Sequence, residues 1–134
     1  MNRLPGTIAA VERSGSIALI DVVVDEQRYT VLLLDADQDR FHVGAAATLA
    51  FNETEVALAV NLAGAISLRN RLPGTVEAIE QGQLMSRVLL RVGGHQVSSV
   101  ITTRSLLALQ LAVGDAVEGL VKSNEMHLLL PEAA

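Results

Sequence analysis

The sequence predicts an all-β protein made of two tandem OB-like five-stranded barrels, each with one short helix. Three observations predict it. The hexapeptide Asn-Arg-Leu-Pro-Gly-Thr stands at Asn2–Thr7 and again at Asn70–Thr75, a spacing of 68 in a chain of 134 residues, so the chain reads as two units, 1–63 and 64–134. Each unit opens with three short runs rich in Ile and Val, separated by Gly, Ser, Asp and Glu. Each then breaks into a helical pattern and ends in two further apolar runs, which is the order of a small OB-like barrel.

In the first unit the strands are "GTIAAVERS", "SIALIDVVVD" and "QRYTVLLL", followed by "LDADQDRF" as a short helical turn capped by Asp35 or Asp37. Val43-Gly44 then leads into "ATLAFN" and "EVALAV". In the second unit the strands are "GTVEAIEQG", "LMSRVLLRVGG" and "HQVSSVIT", with Gly93-Gly94 as a hairpin turn. "TTRSLLALQL" places apolar residues at 106, 107, 109 and 111 behind Thr and Ser, which predicts a helix capped by Thr102 or Thr103. Val113-Gly114 opens the final pair, "AVEGLVKS" and "EMHLLL". Pro5-Gly6 and Pro73-Gly74 read as turn and strand-start devices.

Composition narrows the function. Half of the residues are hydrophobic and only 19% are charged, more apolar side chain than two small cores hide, so a homo-oligomer is expected. A module of this length buries only about 60% of its unfolded surface, which points the same way. A net charge of −5, with one Tyr, two Phe and no Trp, argues against phosphate-backbone binding and base stacking, so no nucleic-acid partner is expected. The absence of cysteine excludes a disulfide framework and thiolate metal sites. With no signal-peptide pattern at the N-terminus and no membrane-length apolar run, the expectation is a soluble cytoplasmic protein.

No catalytic constellation stands out, and no enzyme is expected. His42, His95 and His127 lack metal-ligand spacing. Asp35, Asp37 and Asp39 alternate as in a calcium loop but lack its central Gly and terminal Glu. No serine lies in a nucleophile-elbow motif.

The informative signal is where the two units differ. Counting by 68 pairs Arg69 with Met1, Thr102 with Leu34 and Thr103 with Asp35. Counting by 70 from Val-Gly pairs Lys122 with Asn52 and Ser123 with Glu53, and Ser67 has no partner. A purely structural residue should persist in both copies. Ser67, Arg69, Thr102, Lys122 and Ser123 are instead hydrogen-bond donors present in the second unit alone. Gathered beside a helix N-terminus, such donors suit a small oxyanion, with Arg and Lys supplying affinity and the hydroxyls orientation. A site built wholly of donors favours a fully ionised tetrahedral dianion over hydrogen phosphate, whose proton finds no acceptor. In the first unit, Asp35 and Glu53 place carboxylates where that anion would sit.

"SLRNRLPGTVEAIEQG" followed by "VITTRSLLALQLAVGDAVEGLVKSNEM" resembles the Mop domain, the molybdate-binding, TOBE-like module of the molbindins and of molybdate-responsive regulators. The family pattern Ser-x-Arg-Asn-x-Leu/Phe-x-Gly is matched at Ser67, Arg69, Asn70, Leu72 and Gly74, its Ile-Thr at Ile101-Thr102, and its Val-Lys-Ala/Ser at Val121-Lys122-Ser123. Together the two units resemble a di-Mop molbindin whose first unit departs at the ligand positions.

The resemblance implies molybdate or tungstate bound by Ser67, Arg69, Asn70, Thr102, Lys122 and Ser123. It also implies sites at subunit interfaces of a dimer or trimer, with Thr102, Lys122 and Ser123 coming from a different chain than Ser67 and Arg69. The expected role is intracellular storage, buffering or homeostasis of the oxyanion. The alternative is a free-standing molybdate-sensing module that acts through a protein partner.

Overall fold

The structure, a computed structural model, describes residues 1–34 and 40–131. Its elements alternate as the hydrophobic pattern requires. Strand β1 spans Asn2–Ser14, β2 Ile17–Val24, β3 Gln27–Leu33, β4 Ala46–Phe51 and β5 Ala57–Ala59. In the second half, β6 spans Asn70–Gln81, β7 Met85–Val92, β8 His95–Thr102, β9 Ala116–Val121 and β10 His127–Leu129, with helix α1 over Thr103–Leu109. Short 3-10 turns, Glu53–Glu55 and Ser123–Glu125, precede β5 and β10. The predicted fold class stands: the protein is all-β, with two five-stranded antiparallel sheets of OB-like order. The predicted helical turn of the first unit, with its Asp35 or Asp37 cap, lies outside the described residues.

The sheets do not follow the sequence repeat. One has the order β10-β4-β1-β2-β3 and the other β5-β9-β6-β7-β8. Each takes four strands from one half of the chain and its fifth from the other. His127–Leu129 pairs with Thr48–Ala50, and Ala57–Ala59 pairs with Glu118–Leu120. The exchange joins both sheets around one continuous apolar core that includes Leu4, Phe51 and Tyr29 from the first half and Leu72, Leu90 and Met126 from the second.

The repeated hexapeptide has a local explanation. Asn70 is fully buried, and its side chain mimics a peptide group: Oδ1 accepts from the Thr30 N–H at 2.7 Å and Nδ2 donates to the Thr30 carbonyl at 2.9 Å. Asn2 does the same to Ser98, with both distances 2.8 Å. Strands β3 and β8 are sheet edges, so each asparagine satisfies edge backbone groups of the opposite sheet. Leu4 and Leu72 fill the core.

The Pro-Gly pairs do not start the strands, as expected from sequence, but lie inside β1 and β6. At Pro5 and Pro73 the strand is paired only to β4 or β9, because pairing with β2 and β7 begins at Thr7 and Thr75, so one side tolerates the missing N–H. Glycine follows because the next strand crosses closely. A Cβ on Gly6 would sit 2.5 Å from the Val23 carbonyl oxygen, and one on Gly74 2.8 Å from that of Arg91.

Two predictions follow from this packing. Asn70→Ala orphans the N–H and C=O of Thr30 and should lower unfolding free energy in urea titration by about 2–4 kcal/mol, at roughly 1–3 kcal/mol per unsatisfied group. Gly6→Ala should cost about 1–3 kcal/mol through overpacking in the same measurement.

Candidate functional site

Two segments meet on β3. Ser67 and Arg69 lie in the connection that ends at Asn70, and the bond from Asn70 to Thr30 pins that connection against β3. Lys122 and Ser123 lie in the turn between β9 and β10. Because β10 crosses to pair with β4, this turn is carried onto β3 of the other sheet. The result is a half-open cavity of about 700 Å³ lined by the polar residues Ser67, Arg69, Lys122, Ser123 and Asn124 and by the apolar Leu32, Leu34, Ile66 and Leu68.

The electrostatics of this cavity are unusual for an acidic chain. Arg28, Arg71, Arg87 and Arg91 each have a carboxylate partner, respectively Asp21, Glu118, Glu53 and Glu77. Arg71 holds Glu118 in a two-pronged contact, and this hydrogen bond keeps the Glu118 carboxyl below the usual range. Among the described residues, no ion pair involves Arg69 or Lys122, and no hydrogen bond is made by the Ser67 or Ser123 hydroxyl. Two cations and two hydroxyls therefore line one space without acceptors among the described residues. Such an arrangement suits an anion.

The structure thus brings together four of the six sequence-derived candidates. Asn70 is not among the residues lining the cavity; both ends of its amide serve Thr30, and its part is to position Arg69. Thr102 lies elsewhere. It caps α1, accepting from the Ser105 N–H at 3.1 Å and donating to Ser105 Oγ at 2.8 Å. It lines a separate cavity of about 600 Å³ with Leu84, Met85, Arg104 and Leu107. Thr103, the other cap candidate, is buried, donates to the Gly82 carbonyl at 2.9 Å and contacts Ser86 Oγ at 2.7 Å.

Five residues lining the cavity, Leu32, Leu34, Ile66, Leu68 and Asn124, were not among the sequence-derived candidates. Asn124 follows the Val-Lys-Ser signature directly, so its position was available. Leu34 belongs to the other half of the chain and reaches the cavity only through the strand exchange.

At the equivalent place in the first half, Glu53 stands where Ser123 stands in the second, and its carboxylate is 3.1 Å from Arg87. Asp35 lies outside the described residues. Among the described residues, no group of three or more His, Asp or Glu side chains is arranged to hold a metal ion.

The TOBE domain family matches residues 66–128. The chain is 28% identical over 127 residues to the molybdenum transport protein ModE of Herbaspirillum seropedicae, covering 91% of this chain and 47% of that protein, so it spans about half of that relative's length. It is 34% identical over 65 residues to molybdenum-pterin-binding protein 3 of Clostridium pasteurianum, covering 48% of this chain and 96% of that protein. Its fold matches the cytoplasmic molybdate-binding protein ModG, in a crystal structure with molybdate bound, at a TM-score of 0.91 and 23% identity, over 97% of this chain and 96% of that one. Since the second half matches the TOBE domain and the chain covers nearly all of a single-module relative, this protein belongs to the Mop/TOBE family, with two modules interlocked in one fold.

Proposed function

We propose that this protein binds molybdate or tungstate as the tetrahedral oxyanion and serves its intracellular storage, buffering or homeostasis, without performing chemistry on it. One observation carries the reading: Arg69 and Lys122, which have no ion-pair partner among the described residues, line a single cavity together with Ser67 and Ser123. A doubly charged oxyanion offers several acceptor oxygens and needs no acceptor from the protein. The cations offset its charge, and the hydroxyls fix its orientation. The names of the relatives, which concern molybdenum transport, molybdenum-pterin binding and molybdate binding, support this choice of anion.

In this reading the module repeats are 1–63 and 64–134, and the second carries the competent ligand set. The Glu53–Arg87 pair supports loss of binding in the first: a carboxylate already sits beside the available cation there. The intact cavity is closed on its β3 side by Leu34, the counterpart of Thr102, and so lacks that hydroxyl. Thr102 stands in an apolar setting in which Leu84 is 81% exposed and Leu107 60% exposed. Leu34 and Ile66, beside the cationic cavity, are also exposed. Docking these faces between copies of the chain would hide apolar surface and bring Thr102 toward the anion, which supports a homo-oligomer, dimer or trimer, with interfacial sites. Among the described residues no helix is long and apolar enough to cross a membrane, and a cytoplasmic location fits the reading.

Calorimetric titration with molybdate tests the ligands. Arg69→Ala and Lys122→Ala should each weaken binding by more than about tenfold, at least about 1.4 kcal/mol. Unchanged affinity in both variants removes the assignment. Native mass spectrometry tests the assembly. Leu107→Glu should yield a smaller species and, in the same samples, fewer anions per chain; a variant with unaltered assembly and loading refutes the interfacial arrangement.

A further inference from the structure

A further cavity, which shares no lining residue with the cationic one, lies where the hairpin turns of the two sheets meet. The β2–β3 turn contributes Asp25 and Glu26, and the β7–β8 turn contributes Gly93, Gly94 and His95. The cavity measures about 460 Å³, within the roughly 300–1,000 Å³ usual for small-molecule sites. Its apolar lining includes Leu4, Val24, Val92 and Pro73. Tyr29, only 2% exposed, also lines it.

The comparison between halves that marks the anion ligands marks this cavity as well, with the opposite sign. Counting by 68, Asp25 and Glu26 correspond to Gly93 and Gly94, and Tyr29 corresponds to Val97. Both turns use a left-handed residue at the same place, Asp25 with φ 54° and Gly93 with φ 59°. Glycine meets that demand at least cost, so the turn itself does not call for an acid. Val97 is fully buried in the core without a hydroxyl, so packing does not call for tyrosine either.

The polar groups here are short of partners. Among the described residues, the one ionic contact of Asp25 is with His95 Nε2 at 3.3 Å, and Glu26 has none. No fixed cation balances either carboxylate. The Tyr29 hydroxyl makes no hydrogen bond among the described residues, and it is not among the buried polar atoms sealed from solvent, so its oxygen opens to the cavity. Burial and the Asp25 carboxylate push its pKa up to about 12, so the group is a neutral hydroxyl able to accept one hydrogen bond and donate another. Gly93 leaves the room that Asp25 uses: a Cβ there would stand 3.0 Å from Asp25 Oδ2.

We propose that this seam between the two hairpins is a binding site for a small organic cation, an amine carrying a short apolar tail. Asp25 and Glu26 hold the ammonium, the Tyr29 hydroxyl accepts one of its N–H bonds, and the tail lies against Leu4, Val92 and Pro73. A bare metal ion fits poorly, since two carboxylates over an apolar floor offer too few ligands and no metal-holding cluster is found among the described residues. A neutral apolar ligand leaves both carboxylates uncompensated.

The test uses the full-length protein labelled with ¹⁵N and titrated with n-butylammonium chloride, with 1-butanol and sodium chloride as matched controls. The expected result is saturable shifts of the amides of Asp25–Gln27 and Gly93–His95 with butylammonium alone. Asp25→Asn with Glu26→Gln should weaken binding by about tenfold or more, and asparagine keeps the left-handed turn residue acceptable. Tyr29→Phe should weaken it less, while Arg69→Ala, in the other cavity, should leave it unchanged. The proposal is overturned if 1-butanol shifts the same amides with equal affinity, if the double variant binds as tightly as the parent, or if the butylammonium shifts stay linear and equal to those with sodium chloride.

Discussion

The reciprocal bond between an asparagine side chain and an edge strand is the constraint on which the rest of the structure depends. A carboxamide presents one acceptor and two donors, so a single residue satisfies both the N–H and the C=O of one extended neighbour. Asn70 does this to Thr30 and Asn2 to Ser98, each reaching from the first strand of one sheet to the outer strand of the other. Both contacts cap an otherwise open sheet edge. With the exchange of β5 and β10, they hold two small sheets as one body around a shared core. They also fix what lies beside them: Arg69 precedes Asn70 directly, so its backbone position relative to β3 is set by the Thr30 contact.

The sequence made much of this legible, and the limits have physical causes. Offsets of 68 before the helix and 70 after it pair β1 with β6, β3 with β8, β4 with β9, and the two 3-10 turns with each other. Residue type narrowed the helix cap to Thr102 or Thr103, and the structure selects Thr102. The strand exchange was not. Ala57–Ala59 and His127–Leu129 are three-residue strands, and their docking edges, β4 and β9, are equivalent by the same repeat. A strand that pairs at home and one that pairs with its twin's sheet carry the same local pattern. Only the connections and the full three-dimensional packing distinguish them.

The placement of Asn70 shows how the internal comparison works when applied without exception. Resemblance groups Asn70 with the anion ligands, yet the degenerate half keeps the same residue as Asn2, and persistence in both copies marks a structural residue. The contacts to Thr30 and Ser98 fit that rule. Arg69, Lys122 and Ser123, replaced by Met1, Asn52 and Glu53, mark what one half alone requires. Thr102 divides the two cases: its cap has a structural purpose, while its replacement by Leu34 in the other half is not explained by capping.

The charge arrangement sets where selectivity for an anion arises. A chain of net charge −5 repels a dianion at long range, so its overall field does not gather the ligand. At physiological ionic strength, exposed charges more than about 8 Å away are largely screened, and the groups that matter are those in direct reach. Four of the chain's nine arginines, Arg28, Arg71, Arg87 and Arg91, are already committed to carboxylates. Arg69 and Lys122 have no such partner among the described residues, and they share their cavity with the apolar Leu32 and Leu34. In the proposed reading, anion capture is therefore a short-range property of one cavity, created where a strand exchange and an asparagine contact bring two cations to the same edge strand.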